Sequence, residues 1–162
     1  MIKIAKILCP VDFFPASDAA VHYAADLAAE CGATIHLLHV IKPIAASAYE
    51  YVVDTIEIIK SMQESTIQEM NNLVAKLDQN SVVCESEVRI GDVDDEIQQA
   101  IAAIRPDLVV MGTHGRTGIE RWLMGSTTQN VLRHSPVPLV VIPARTQRRL
   151  RADFTTLAAL MP

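Results

Sequence analysis

Four of the chain's six glycines lie between positions 112 and 125. Gly112, Gly115, Gly118 and Gly125 punctuate a polar segment that leads into Ser126, Thr127 and Thr128. Glycine lets another group approach the backbone closely. A helix that begins after Gly125-Ser126 presents unpaired N–H groups and a partial positive charge at its first turn. An anion fits there without a lysine, and three hydroxyls stand beside it. The chemistry suggested is phosphate binding, with loop N–H groups curled around the phosphates. A glycine-rich turn before a serine-capped helix that binds nothing has the same spacing, and spacing alone leaves both open. Two familiar nucleotide motifs are excluded. No Gly-Lys-Ser/Thr ends the segment, since Met124 precedes Gly125 and Thr127 follows Ser126, and no G-x-G-x-x-G occurs.

The elements that must position this loop frame it closely. Leu108–Met111 is a short apolar run that reads as a buried strand, and Leu139–Ile142 is another, between prolines. The 14 residues from Gly112 to Gly125 exceed the roughly 2 to 6 of an ordinary strand-to-helix loop, which argues for a role beyond connection.

Upstream, Ile4–Val11 reads as a central strand ending at Asp12. Ser17 offers a helix N-cap, and Ala19–Cys31 has helical spacing before Gly32. Thr34–Val40 is a second strand. From about Tyr49 to Leu77, apolar residues return at Val52, Ile56, Ile59, Ile67, Met70, Val74 and Leu77, a long amphipathic helix closed by Gln79-Asn80. Val82–Ile90 alternates as an edge or half-buried strand. Asp92, Asp94, Asp95 and Glu96 then load a helix start with negative charge, a better account of them than a metal cluster. That helix stops before Pro106. A fourth runs from Thr127 to His134, ended by Ser135-Pro136. Repeated strand–helix–strand means an α/β, three-layer architecture: a parallel sheet with helices on both faces.

The residues Gly112-x-x-Gly115, nine intervening residues, then Gly125-Ser126 are similar to the nucleotide-binding signature of the universal stress protein family. The resemblance runs from Lys3 to about Pro143 and includes "ILCPVDFFPAS", "IHLLHV" and "VPLVVIP". It implies a five-stranded, Rossmann-like sheet of order 3-2-1-4-5 over residues 1–144. It also implies the branch of the family that binds ATP, with magnesium or manganese, ADP and AMP being alternatives. Strands one and four then lie side by side, so Asp12 and Gly112 meet at one crevice, where such sheets bind ligands.

By the same resemblance Pro10, Val11 and Asp12 line the nucleoside, and Val40 meets adenine through its backbone. Met111, Gly112, Thr113, His114, Gly115, Arg116, Thr117 and Gly118, with Gly125, Ser126, Thr127 and Thr128, hold the triphosphate. Asp12 is also the candidate metal ligand, or an acceptor for ribose hydroxyls; the alternative is a plain turn acid before Pro15, and the glycine loop opposite favours the functional reading. Arg116 reads as a phosphate contact or a solvated side chain. His114 reads as a polar loop residue, Trp122 as an anchor for the loop, and His22 with Asp26 as a surface pair one helical turn apart.

The resemblance further implies a homodimer through the fifth strand, Val137–Ile142, an apolar run expected at the sheet edge where pairing with another chain is invited. No water-activating residue or paired carboxylate accompanies the site. Holding ATP in a regulatory, stress-response role is therefore the leading expectation. A slow ATPase or nucleotidyl-transfer enzyme, and a structural dimer with a vestigial pocket, are the alternatives.

Composition sets the outer bounds. At 162 residues, half hydrophobic, the chain suits one domain. A formal net charge of −5 argues against a nucleic-acid partner. The charge is uneven: residues 145–162, read as a tail, hold four arginines against one aspartate, so this +3 leaves −8 on the remainder. Three cysteines without a C-x-x-C suggest neither a disulfide framework nor a zinc site. Reduced thiols, no apolar run of about 18 residues and no signal-peptide profile are consistent with a cytoplasmic protein without a membrane partner.

Overall fold

The computed structural model describes residues 3–43, 52–78, 82–113 and 124–143. The segment containing His114–Gly118 and Trp122, the start of the long helix at Tyr49, its expected stop at Gln79-Asn80, and the tail 145–162 lie outside the described residues. The elements run β1 (Lys6–Pro10), α1 (Pro15–Cys31), β2 (Thr34–Ile41), α2 (Val52–Asp78), β3 (Cys84–Ile90), α3 (Val93–Ile104), β4 (Leu108–Gly112), α4 (Ser126–His134) and β5 (Leu139–Ile142).

The five strands form one parallel sheet in the order β3-β2-β1-β4-β5. This is the expected order, and it puts the turn in strand order between β1 and β4. Alternation along the strands divides the core in two. Ile7, Cys9, Val11, Ile35, Leu37 and Val110 pack against α1 and α2. Leu8, Leu38, Val109 and Met111 pack against α3 and α4 through Ile97, Ile101 and Val131. Cys9 is fully enclosed in the first layer, and burial pushes its thiol far above the ordinary range; Cys84, partly enclosed, is pushed up to about 11 by the same cause. Neither thiol is a reactive thiolate at neutral pH.

Local chemistry sets the helix ends. α1 starts two residues ahead of Ser17, because Pro15, with φ already suited to a helix and no N–H to satisfy, takes the first turn. Ser17 is therefore not the cap; it sits inside the helix. Gly32, at φ 66°, closes α1 in the left-handed conformation. At α3 the Asp92 carboxylate accepts from the Asp94 N–H at 3.0 Å, and Asp94, Asp95 and Glu96 fill the first turn. The acidic group is thus helix-start electrostatics, and no metal-holding group of three or more His, Cys, Asp or Glu occurs among the described residues. His22 pairs with Asp18 at 3.8 Å rather than with Asp26. Helical side chains lean toward the N-terminus, which brings His22 to the acid one turn earlier.

Asp107 staples the lower edge of the sheet. Its Oδ2 accepts from the Ala5 N–H at 2.8 Å and the Lys6 N–H at 2.9 Å, joining the start of β4 to the start of β1. These bonds hold its carboxyl below the usual range, as the Asp94 N–H does for Asp92. A depressed folded value means that protons bind the unfolded chain first as pH falls. The contribution is complete above the unfolded value of about 4, and is lost as pH drops through the folded value. The melting temperature is expected to fall below about pH 4, with a shallower fall in Asp107→Asn; scanning calorimetry across that range checks it.

Candidate functional site

The crevice lies where β1 and β4 end side by side. Beyond β1 the chain stays in the sheet for one more residue, the Val11 N–H donating to the Leu38 carbonyl at 2.8 Å. It then turns at Asp12 and Phe13, the latter at φ 62°. The Asp12 N–H donates to Ser17 Oγ at 3.1 Å, and the Phe14 N–H donates to Asp12 Oδ1 at 3.0 Å. Asp12 Oδ2 makes no hydrogen bond among the described residues. One carboxylate oxygen thus shapes the turn, and the other is unbonded among the described residues.

Val40 supplies a second pair of groups without a hydrogen bond among the described residues. The Leu38 carbonyl faces β1, whereas the Ile41 carbonyl faces β3 and accepts from the Gly91 N–H at 3.0 Å. Peptide direction alternates along a strand, so the Val40 N–H and carbonyl face β1's side, just past the point where β1 has turned away. Its side chain packs in the α3/α4 layer.

Across the crevice, Gly112 ends β4 against the backbone of α1. A Cβ there would lie 2.6 Å from the Ala16 carbonyl carbon and 2.8 Å from the Ser17 nitrogen. Thr113 then fastens two elements: its N–H donates to the Ile142 carbonyl at 3.0 Å, and its carbonyl accepts from the Gly125 N–H at 2.7 Å. Gly125 is the N-cap of α4, with φ −59° and ψ 152°, and carries no side chain to close the helix start.

The first intrahelical bond of α4 is the Gln129 N–H to the Gly125 carbonyl at 2.9 Å. The peptide N–H groups of Ser126, Thr127 and Thr128 make no hydrogen bond among the described residues. The contrast with α3 is instructive. Its start is neutralised by three acids and an aspartate cap; the first turn of α4 has no acidic residue, and Arg133 and His134 occupy its last turn. The first turn of α4 thus carries no carboxylate of its own, which suits its positive end to an anion.

The structure therefore brings Asp12, Val40, Gly112, Gly125, Ser126 and Thr127 to one end of the sheet; Asp12, Val40, Ser126 and Thr127 carry polar groups without a partner among the described residues, while Gly112 and Gly125 are bonded into the frame around them. Three expected residues serve differently. Thr128 is 3% exposed and its hydroxyl donates inward, to the Gly112 carbonyl at 2.9 Å, so only its N–H remains for a phosphate. The Val11 side chain belongs to the α1/α2 core and its N–H is held by Leu38. Met111 is 5% exposed and packs in the α3/α4 core. Pro10 is half-buried at the end of β1.

Two features escaped sequence reasoning. The His39 Nδ1–H donates to the Val11 carbonyl at 2.7 Å, since a carbonyl only accepts, and the ring lies 5.0 Å from that of Phe13. The other is the inward hydroxyl of Ser17, for which the five-residue step from Asp12 was the available signal. A groove of about 450 Å³, lined by Val11, Phe13, Phe14, Val21, Leu73 and Lys76 among others, opens in the α1/α2 layer. It lies on the opposite face of the sheet from α4 and shares only the β1–α1 turn with the crevice.

The model of the universal stress protein family matches residues 3–143. The chain belongs to the universal stress protein family. Universal stress protein G of Shigella flexneri is 31% identical over 139 residues, covering 84% of this chain and 96% of that protein. Among solved structures, universal stress protein UspA from Lactobacillus plantarum superposes with a TM-score of 0.78 at 25% identity, covering 86% of this chain and 98% of that one. A universal stress protein family protein from Arabidopsis thaliana, solved with AMP bound, shares the fold at a TM-score of 0.59 and 21% identity, covering 86% and 91%. The universal stress protein fold of these neighbours is the 3-2-1-4-5 sheet described above, and membership places this chain among stress-response proteins. No helix among the described residues is long and apolar enough to cross a membrane.

Proposed function

We propose that this universal stress protein belongs to the ATP-binding branch and acts as a cytoplasmic regulatory module of residues 1–144, with ATP, ADP or AMP held at the β1/β4 crevice. The observation that carries the reading is the first turn of α4: three peptide N–H groups without a partner among the described residues, a glycine cap and no acidic residue, at the same end of the sheet as the Asp12 carboxylate. In this reading the phosphates lie on the N–H groups of Ser126, Thr127 and Thr128, joined by the loop His114, Gly115, Arg116, Thr117 and Gly118. Asp12 Oδ2 accepts from the ribose or helps to hold magnesium or manganese. One carboxylate suffices for such an ion when phosphate oxygens supply the rest. Adenine meets the N–H and carbonyl of Val40, one donor and one acceptor. The AMP carried by the Arabidopsis relative supports a nucleotide of this class.

Equilibrium dialysis with ATP and magnesium tests the reading. Saturable binding at micromolar to millimolar concentration is expected, and its absence across that range would sink it. Asp12's free oxygen is also what a slow ATPase would need. Turnover by purified protein that disappears in Asp12→Ala would move the reading to that enzyme class.

The reading includes a homodimer through β5 and the residues leading into it, Val137–Ile142. Among the described residues β5 is an edge of the sheet, hydrogen-bonded to β4 alone. Its Leu139, Val140 and Val141 are half-buried within one chain. Light scattering is expected to give twice the chain mass at micromolar concentration; a single-chain mass there would contradict it.

A further inference from the structure

Buried polar side chains among the described residues are Ser17, 4% exposed, and Thr128, 3% exposed. Burying a hydroxyl is unfavourable unless it is hydrogen-bonded. Both are bonded, and both to backbone at the mouth of the sheet. Ser17 Oγ accepts from the Asp12 N–H at 3.1 Å, and Thr128 Oγ1 donates to the Gly112 carbonyl at 2.9 Å. The two bonds are joined through α1, because Gly112 rests directly on the backbone of Ala16 and Ser17. A continuous chain of contacts thus runs from Asp12 through Ser17 and Gly112 to Thr128. It links the end of β1, the first turn of α1, the end of β4 and the first turn of α4.

We infer that Ser17 and Thr128 are positioning residues that hold the nucleoside half and the phosphate half of the crevice at a fixed spacing. Neither touches the ligand with its side chain. Ser17 sets the Asp12 peptide, and with it the free Oδ2; Thr128 ties the amide-bearing turn of α4 to β4. The inference rests on the nucleotide reading above. Its particular content is that removing either hydroxyl weakens binding through the half it supports.

The test uses the full chain and three probes: magnesium ATP, 2′,3′-dideoxy-ATP with magnesium, and inorganic tripolyphosphate. Ser17→Ala is expected to weaken ATP about tenfold, the loss of one hydrogen bond's worth of positioning, and to leave metal-free tripolyphosphate unchanged; the dideoxy nucleotide is unchanged where Asp12 meets the ribose and weakened like ATP where it holds the metal. Thr128→Val, similar in shape, is expected to weaken all three by a similar factor, and Thr128→Ser to restore them. A purely structural role would lower the melting temperature of Thr128→Val without this division among probes. ATP binding at wild-type strength in both Ser17→Ala and Thr128→Val overturns the inference while leaving the nucleotide reading intact. Failure of the unaltered protein to bind any of the probes overturns both.

Discussion

Gly112→Ala is expected to cost about 3 kcal/mol of stability, the upper end of ordinary overpacking. The added methyl would enter at 2.6 Å from the Ala16 carbonyl carbon, 2.7 Å from its oxygen and 2.8 Å from the Ser17 nitrogen. All three are main-chain atoms in the first turn of a helix, so no rotamer change relieves the clash. Either α1 moves away from β4 or β4 withdraws from the sheet. Moving α1 disturbs a layer in which Ala16, Ala19, Ala20 and Val21 are already buried. The melting temperature is expected to drop by roughly 10 °C, readable by circular dichroism. A variant that melts with the parent would show that the close approach of β4 and α1 is not a constraint. Gly91, by comparison, faces a flexible carboxylate: a Cβ there meets the Glu96 side chain at 2.8 Å, which can swing aside. Gly91→Ala is therefore the mild control.

Ser126→Pro is the second substitution with a large expected effect, and it separates binding from folding. Position 126 is the first residue of α4, where proline is well tolerated because the N–H has no helical acceptor. The residue before a proline must be extended, and Gly125 already is, at φ −59° and ψ 152°. The substitution therefore leaves the helix start in place and removes one amide from the open end of α4. ATP affinity is expected to fall at least about tenfold, the effect of one charge-assisted hydrogen bond, while the melting temperature stays within a few degrees. Ser126→Ala, which removes only the hydroxyl, is expected to bind more tightly than Ser126→Pro. Equal affinity in the proline variant and the parent would show that the amide does not meet the ligand, whatever else the crevice does.

These two positions show what the sequence can and cannot display. The order of elements was legible because each strand is a short apolar run and each helix carries its own start and stop, such as Pro106 after α3 or Gly32 after α1. The sheet order came from the family resemblance, and the strand pairing bears it out. The glycines around residues 112–125 were conspicuous, and the free amides of α4 follow from Gly125 lacking a side chain. The separate job of Gly112 was not legible. It is set by contact with Ala16 and Ser17, nearly a hundred positions earlier, and no local pattern encodes that approach. Thr128 follows two other hydroxyl residues and reads like them as a phosphate contact, but helix geometry turns its hydroxyl inward. Ser17, ahead of an alanine-rich run, reads as a cap, but Pro15 starts the helix two residues earlier. Phe13 carries no sequence sign of its positive φ, and the ring of His39 beside it is brought there by the pairing of β1 with β2.

The two margins of the sheet are unlike. β3 presents Glu85 and Glu87, their side chains 69% and 50% exposed, with Arg89 tied to Glu87 at 2.9 Å and His36 to Glu85 at 3.1 Å. β5 presents only leucine, valine and isoleucine. Charged residues on a border strand discourage a further strand from joining, so growth by strand addition is confined to one side. Two copies that meet there about a twofold axis use up that side in both and leave only the charged borders outward. In the proposed dimer, association of this kind would close on itself rather than extend into ribbons.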